Sequence, residues 1–262
     1  MFAQDGSQTG FAVTAMLAGS RLIPAFFVYG VVMSLITPHI SPAVSQLAPG
    51  FRALSITVQA AAVVDPNVGA RALDEACTAM LTADVPWAEA HLAAWGELFR
   101  KFGAKPQRTP CSAEALRKRV TRDGNLPAID PVVDLYNAIS IRYAIPVGGE
   151  NLLAYEGLPQ LVVADGSELF DTMKGGEPTH EPVEPGEVVW RDDKGVTCRR
   201  WNWRQGVRSR LSVDSGQMWF ILESLPEMPL AALHEAGEKL IAGLREMMPE
   251  AVITQSLIGH NE

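Results

Sequence analysis

The chain has 262 residues, 47% hydrophobic and 20% charged, which suffices for one large domain or two small ones and excludes disorder throughout. Cys77, Cys111 and Cys198 are scattered with no CxxC pair, which excludes a disulfide scaffold and a cysteine-built zinc site and points to a reducing cytoplasm. The net charge of −8 is uneven: residues 100–122 carry a net +7 and 199–210 a net +5, against −20 elsewhere, so an acidic body leaves room for a local polyanion surface.

Phe11 to Ile36 is mostly apolar but is broken by Arg21 and Pro24. Its longest uncharged piece, Leu22–Ile36, is fifteen residues, short of the roughly twenty of a spanning helix. Asp5, and no Lys or Arg, precedes the run, which fits a secretory leader poorly. Two readings stay open: an upstream extension with the true start at Met33, or a genuine apolar anchor or tail. No membrane role is expected unless the second holds. The expected organisation is an extension over 1–40, one domain over 41–254 and a tail over 255–262.

His39–Gly50 reads as a short helix and Phe51–Val64 as a strand with Leu54, Ile56 and Val58 on one face. Asp65-Pro66 opens a helix to about Leu81, and a second runs from Asp84 to Phe102 with Trp87, His91, Trp95 and Leu98 in its stripe. Ser112 opens a basic helix that Gly124 stops. Asp130-Pro131 opens another, carrying Val132, Leu135, Tyr136 and Ile139. Ile145–Glu150 reads as a tight backbone site around Gly148-Gly149.

From Gln160 the pattern is β. Leu161–Ala164 is a strand, 171–186 with its prolines and glycines a loop, and Glu187–Trp190 and Val196–Trp203 a hairpin. Gln217–Glu223 is a buried strand, Leu230–Met248 a helix and Ala251–Thr254 a last strand. Irregular mixing of helices and strands gives an α+β fold, a mixed sheet flanked by helices.

The sharpest local feature is Arg199-Arg-Trp-Asn-Trp-Arg204. In a strand, Arg199, Trp201 and Trp203 share one face and Arg200, Asn202 and Arg204 the other. The arginines then either meet phosphate or carboxylate, or line a solvated strand with two core tryptophans. The basic helix, with Arg117, Lys118 and Arg122, is either a second cationic surface or a solvated face. Glu223 ends an apolar strand, facing either a cavity or solvent. No nucleophile elbow, P-loop, dinucleotide fingerprint or HExxH is present, so no cofactor or metal is expected.

Four stretches then carry a resemblance: Ile129–Asn137, Ile145–Asn151, Gly186–Trp190 and Cys198–Arg204. They look like the B3/B4 domain of the β subunit of bacterial phenylalanyl-tRNA synthetase, and still more like free-standing relatives of that domain. The resemblance spans roughly Ser41 to Glu250, with 112–225 as its specific part. It implies no aminoacylation by this chain alone. In the synthetase this domain binds the acylated tRNA end and hydrolyses tyrosine wrongly attached to the phenylalanine tRNA.

Residue by residue, Glu223 matches the pocket glutamate and Asn137 the asparagine after the Val-Asp helix. The pocket histidine falls on Gly148, and the pocket arginine on Pro127. The resemblance implies a tRNA-binding protein that deacylates mischarged aminoacyl-tRNA in trans, or a non-catalytic module for tRNA or a free amino acid; no DNA is expected. Glu223 would be catalytic, with Asn137, Gly148, Gly149, Arg199, Asn202 and Arg204 on the substrate. Arg117, Lys118, Arg122, Arg208 and Arg210 would contact RNA.

Overall fold

A computed structural model of the chain describes residues 36–259. Most of the expected extension, with both readings of its start, and the end of the expected tail therefore lie outside the described residues. In chain order the elements are β1 (His39–Ile40), α1 (Pro42–Leu47), β2 (Arg52–Gln59), α2 (Val68–Thr82), α3 (Ala88–Lys101), α4 (Ser112–Asp123), α5 (Pro131–Tyr143) and β3 (Val147–Asn151). There follow β4 (Gln160–Val163), β5 (Leu169–Lys174), β6 (Glu177–Pro182), β7 (Val188–Arg191), β8 (Val196–Arg199), β9 (Arg204–Gln205), β10 (Gln217–Ser224), α6 (Leu230–Met247) and β11 (Val252–Ile258). Among the described residues no helix is long and apolar enough to cross a membrane.

The fold is α+β and contains two sheets. One is four-stranded and antiparallel, ordered β11-β2-β10-β3. The other is seven-stranded and mixed, ordered β1-β4-β7-β8-β5-β6, with β9 also on β8. Strand alternation sorts the four-stranded sheet into two faces. Leu54, Ile56 and Val58 of β2 and Met218, Phe220 and Leu222 of β10 pack with α5 and α6 through Leu135, Ile139, Leu233 and Leu240. Ala53, Trp219 and Ile221, on the opposite face, pack with Leu161, Val188 and Trp190 of the second sheet and Trp95 and Phe99 of α3. Each buried Val, Leu, Ile, Met or Phe side chain among these contributes roughly 1.5–3 kcal/mol.

The start of α5 follows its local chemistry. Asp130 Oδ1 accepts from the N–H groups of Val132 (2.9 Å) and Val133 (3.1 Å), with Pro131 in the first turn. Its Oδ2 accepts from Val213 N at 2.9 Å, tying the α5 start to the segment before β10. His91 on α3 is a structural joint. Its Nδ1 meets Ala144 O at 2.9 Å, while Nε2 accepts from Leu225 N at 3.0 Å and from Trp95 Nε1 at 3.2 Å. Burial pushes its pKa down to about 4, so the ring is neutral at pH 7.

Two expectations are corrected. Residues 171–186 are not a loop: β5 and β6 form a hairpin over 169–182. Gly175 (φ +61°) and Gly176 (φ +90°) make its left-handed turn, and Pro178 and Pro182 fit because β6 is an edge strand. The strand expected over Val196–Trp203 stops at Arg199, and Trp201 adopts φ +55°, a left-handed conformation rare outside glycine. The alternation expected for Arg199–Arg204 is therefore lost. Boundaries also move: His39–Ile40 belong to the second sheet, the last strand continues to Ile258, and α2 and α3 begin at Val68 and Ala88, past the starts expected at Asp65 and Asp84.

Candidate functional site

Alternation on β10 and β3 builds the site. Glu223 shares a face with Trp219 and Ile221, away from α5 and α6. On β3, Gly148 lies opposite Ile221 and Glu150 opposite Trp219, so both share that face. Both side chains thus enter the layer between the sheets, from backbone positions about 13 Å apart along the strands. Between them lies Gly148, whose missing side chain leaves space. A cavity of about 250 Å³ occupies this place, bounded also by Ser112 and Leu116 of α4, Asn137 of α5 and Asn202, Trp203 and Arg204. It is smaller than the roughly 300–1,000 Å³ of drug-sized ligand sites.

Glu223 is 1% exposed. Its Oε1 accepts from Trp190 Nε1 at 3.0 Å and Trp201 Nε1 at 2.8 Å, and its Oε2 accepts from Asn202 Nδ2 at 3.0 Å. The left-handed turn at Trp201 aims that indole inward, where it meets Phe51 and Trp95 edge-on at 5.3 and 5.4 Å. Burial pushes the Glu223 pKa up to about 7, partly offset by the three hydrogen bonds. Glu223 thereby joins three segments of the second core.

Glu150 differs. It is 4% exposed, and its Oε2 has no hydrogen-bond partner among the described residues. Burial pushes its pKa up to about 8, offset in part by Ser209 and Gln205. Asn202 Oδ1 and Ser112 Oγ at the same cavity are also buried without a partner. These unmet acceptors mark a cavity suited to a hydrogen-bond donor.

Strand pairing decides where the two glycine amides point, and the outer edge of β3 is bordered by residues 209–211. Glu223 N donates to Pro146 O at 3.0 Å, so Gly148 falls in a hydrogen-bonded pair with Ile221 and Gly149 in a non-bonded one. The Gly149 amide faces away from β10, on the same side as its carbonyl, which accepts from Gln205 Nε2 at 2.7 Å. This corrects the expectation that both amides serve a substrate. The tight backbone site expected at Ile145–Glu150 is strand from Val147 onward, with the close approach at Gly149.

The cations divide. Arg204 lines the cavity, pairs with Glu181 Oε2 at 2.6 Å and lies 4.9 Å from the Trp203 ring centroid. Arg199 does not line it. Its Nε and Nη2 donate to Glu187 at 2.9 and 2.7 Å, and its Nη1 to Glu181 and Pro182 O, so the expected substrate contact is replaced by a buried ion pair. Arg117 is 7% exposed, donates to Ile141 O and pairs with Asp84, which removes it from the expected RNA surface. Arg208 grips Asp192 with both Nη atoms at 2.8 Å and donates to Ala154 O, which removes it likewise. Lys118 and Arg122 are exposed, paired with Glu114 and Asp123, and Arg210 is exposed.

The sequence reading missed Glu150, Ser112 and Trp190 as cavity residues. Reading 147–151 as a strand puts Glu150 two positions from Gly148 and hence on its face, but the paired glycines mask that pattern.

Adjacent glycines carry opposite expectations. A Cβ at Gly148 meets only Ile221 Cγ2, at 3.1 Å, so Gly148→Leu fills the cavity and is expected to cost about 1 kcal/mol or less. A Cβ at Gly149 falls 2.8 Å from Tyr136 Cε1 and 2.9 Å from Leu211 Cδ2, so Gly149→Ala is expected to cost roughly 1–3 kcal/mol. Urea unfolding of both variants checks the contrast, and equal costs contradict the cavity at Gly148.

A family described as the B3/4 domain matches residues 94–233, more than half of the chain. No curated protein matches the chain. Among solved structures, it is similar to an N-terminal fragment of the phenylalanyl-tRNA synthetase β-subunit from Pyrococcus horikoshii. Identity is 11% and the TM-score 0.42, over 86% of this chain and 55% of that fragment, so the chain spans about half the fragment's length.

Proposed function

The chain belongs to the B3/4 domain family, and from that premise we propose that it is a tRNA-binding protein whose cavity receives the aminoacyl end of a charged tRNA. The observation that carries this reading is the cavity itself, amino-acid-sized and lined by buried acceptors without partners. Exposed Lys118, Arg119 and Arg122 support the RNA half of the reading. They lie on α4, whose first turns border the cavity, about 9 to 15 Å along the helix from Ser112. Cations at that distance suit phosphates that follow an acylated terminus.

The reaction this geometry suits is hydrolysis of the aminoacyl ester by a water held in the cavity. The water oxygen attacks the ester carbonyl, the tetrahedral oxyanion collapses, and the ribose oxygen leaves with a proton. Glu223, tied to two indoles and an amide, shapes the cavity instead of acting as a free base.

That saturation of Glu223 favours a second reading, a module that binds charged tRNA without turnover. Timed deacylation of mischarged tRNA, with wild type and Gly148→Leu, separates the two. Hydrolysis by wild type and none by the filled cavity supports the editing reading. Salt-sensitive binding with no hydrolysis supports the module. Unchanged binding by a Lys118→Glu/Arg119→Glu/Arg122→Glu variant contradicts the assignment of α4 to RNA.

A further inference from the structure

We infer that the ligand of this cavity carries a protonated amine, and that Glu150 is the residue that recognises it. This rests on the reading that the cavity accepts an aminoacyl group, and it names the group by which that ligand is selected. Glu150 is nearly fully buried, lines the cavity and keeps an unpartnered carboxylate oxygen. Leaving such an oxygen unmet is costly, and an ammonium offers both charge and three N–H donors.

The other unpartnered atoms point the same way. Asn202 Oδ1 is an acceptor, Ser112 Oγ can accept or donate, and Arg204 Nε is an unpartnered donor. Glu223, the other carboxyl, already accepts from Trp190, Trp201 and Asn202. An amine entering the cavity therefore finds its vacant carboxyl at Glu150. Gly148, on the same face of β3, leaves the approach open.

The electrostatics give a second readout. The groups facing Glu150 are Tyr136 on α5, Tyr155, Asp171 on β5, Cys198 on β8, and Arg208, Gln205 and Ser209. Arg208 is the cation among them, and it is engaged by Asp192. With a pKa near 8, the Glu150 carboxyl holds its proton at pH 7 in the empty cavity. A bound ammonium favours the carboxylate, so amine binding releases a proton to buffer.

The test is isothermal titration of the full chain with L-phenylalaninol and L-leucinol, and with 3-phenylpropan-1-ol and 4-methylpentan-1-ol, which keep each shape without the amine. At least one amine is expected to bind about tenfold or more tighter than its amine-free counterpart. In Glu150→Gln that preference is expected to vanish while amine-free binding is unchanged. In wild type at pH 7, binding heats in buffers of different ionisation enthalpy are expected to reveal proton release with amines alone, a readout that survives poor folding of the variant. Equal affinity for amine and amine-free partners, or an undiminished preference in Glu150→Gln, overturns the role of Glu150 while leaving the aminoacyl cavity standing. Failure of all four probes to bind overturns the aminoacyl reading and this inference with it.

Discussion

Glu223→Ala is expected to lower the stability of the fold by roughly 3–5 kcal/mol, the largest effect of any single truncation at the site. The change removes the acceptor shared by Trp190, Trp201 and Asn202 and strands three donors inside the second core. Each stranded donor costs about 1–3 kcal/mol, and water entering from the cavity recovers part of the sum. For a chain of this size the melting temperature is expected to fall by about 10 °C. Glu223→Gln tests the cause. Its amide oxygen still serves both indoles, and its N–H can donate to Asn202 Oδ1, an acceptor without a partner, once the Asn202 amide turns over. A Gln variant as unstable as the Ala variant contradicts this account.

The same residue gives stability a pH dependence of stated sign. The native pKa of Glu223 is raised from 4.5 to about 7 and that of Glu150 to about 8. The folded state thus holds protons that the unfolded state has released, and this contribution is full below pH 4.5 and lost as pH rises through 7 to 8. His91 acts oppositely, because its pKa falls from 6.5 to about 4 and stability is lost as pH drops through that window. Two carboxyls outweigh one imidazole, so the contribution of these three groups to the urea midpoint is expected to be largest near pH 4 to 4.5 and to fall from there to pH 8. In Glu223→Gln the fall between pH 4.5 and 7 is expected to be shallower; an unchanged fall over that window contradicts the assignment.

Glu187→Ala is expected to rank next, at roughly 3–5 kcal/mol. Glu187 is 3% exposed and accepts from Arg199 twice and from Arg200 Nε at 3.2 Å. Its loss leaves the buried Arg199 guanidinium with only Glu181, at 3.4 Å, and Pro182 O. Replacing the pair, as Glu187→Leu with Arg199→Met, is expected to recover most of the loss, because two desolvated charges are removed together. A double-mutant cycle by chemical denaturation measures this, and additive losses show that the pair is not coupled. Ligand affinity of the folded double variant is expected to match wild type, since Arg199 does not line the cavity.

Local sequence patterns were enough for β2, α5, β10 and α6. The alternation of Leu54, Ile56 and Val58, the Asp130-Pro131 start and the uninterrupted run to Glu223 each encode a backbone period or a cap within a few residues. They also placed Glu223, Asn137, Gly148 and Asn202, which the fold brings to one cavity with Arg204. The hairpin over 169–182 escaped because an edge strand tolerates the prolines that ordinarily mark a loop. The Arg199–Arg204 segment escaped because a left-handed Trp201 breaks the alternation on which a strand reading depends.

What only the tertiary structure decided is which charged groups are free. Arg117, Arg199 and Arg208 look like ligand cations in the sequence, yet each is held by an acid brought from elsewhere, Asp84, Glu187 and Asp192. Glu150 is inconspicuous in the sequence, yet it is the buried carboxyl left with an open oxygen. Periodicity and capping act between neighbours along the chain and can be read there. Desolvation and ion pairing act through space, and they take their values only once distant segments have packed.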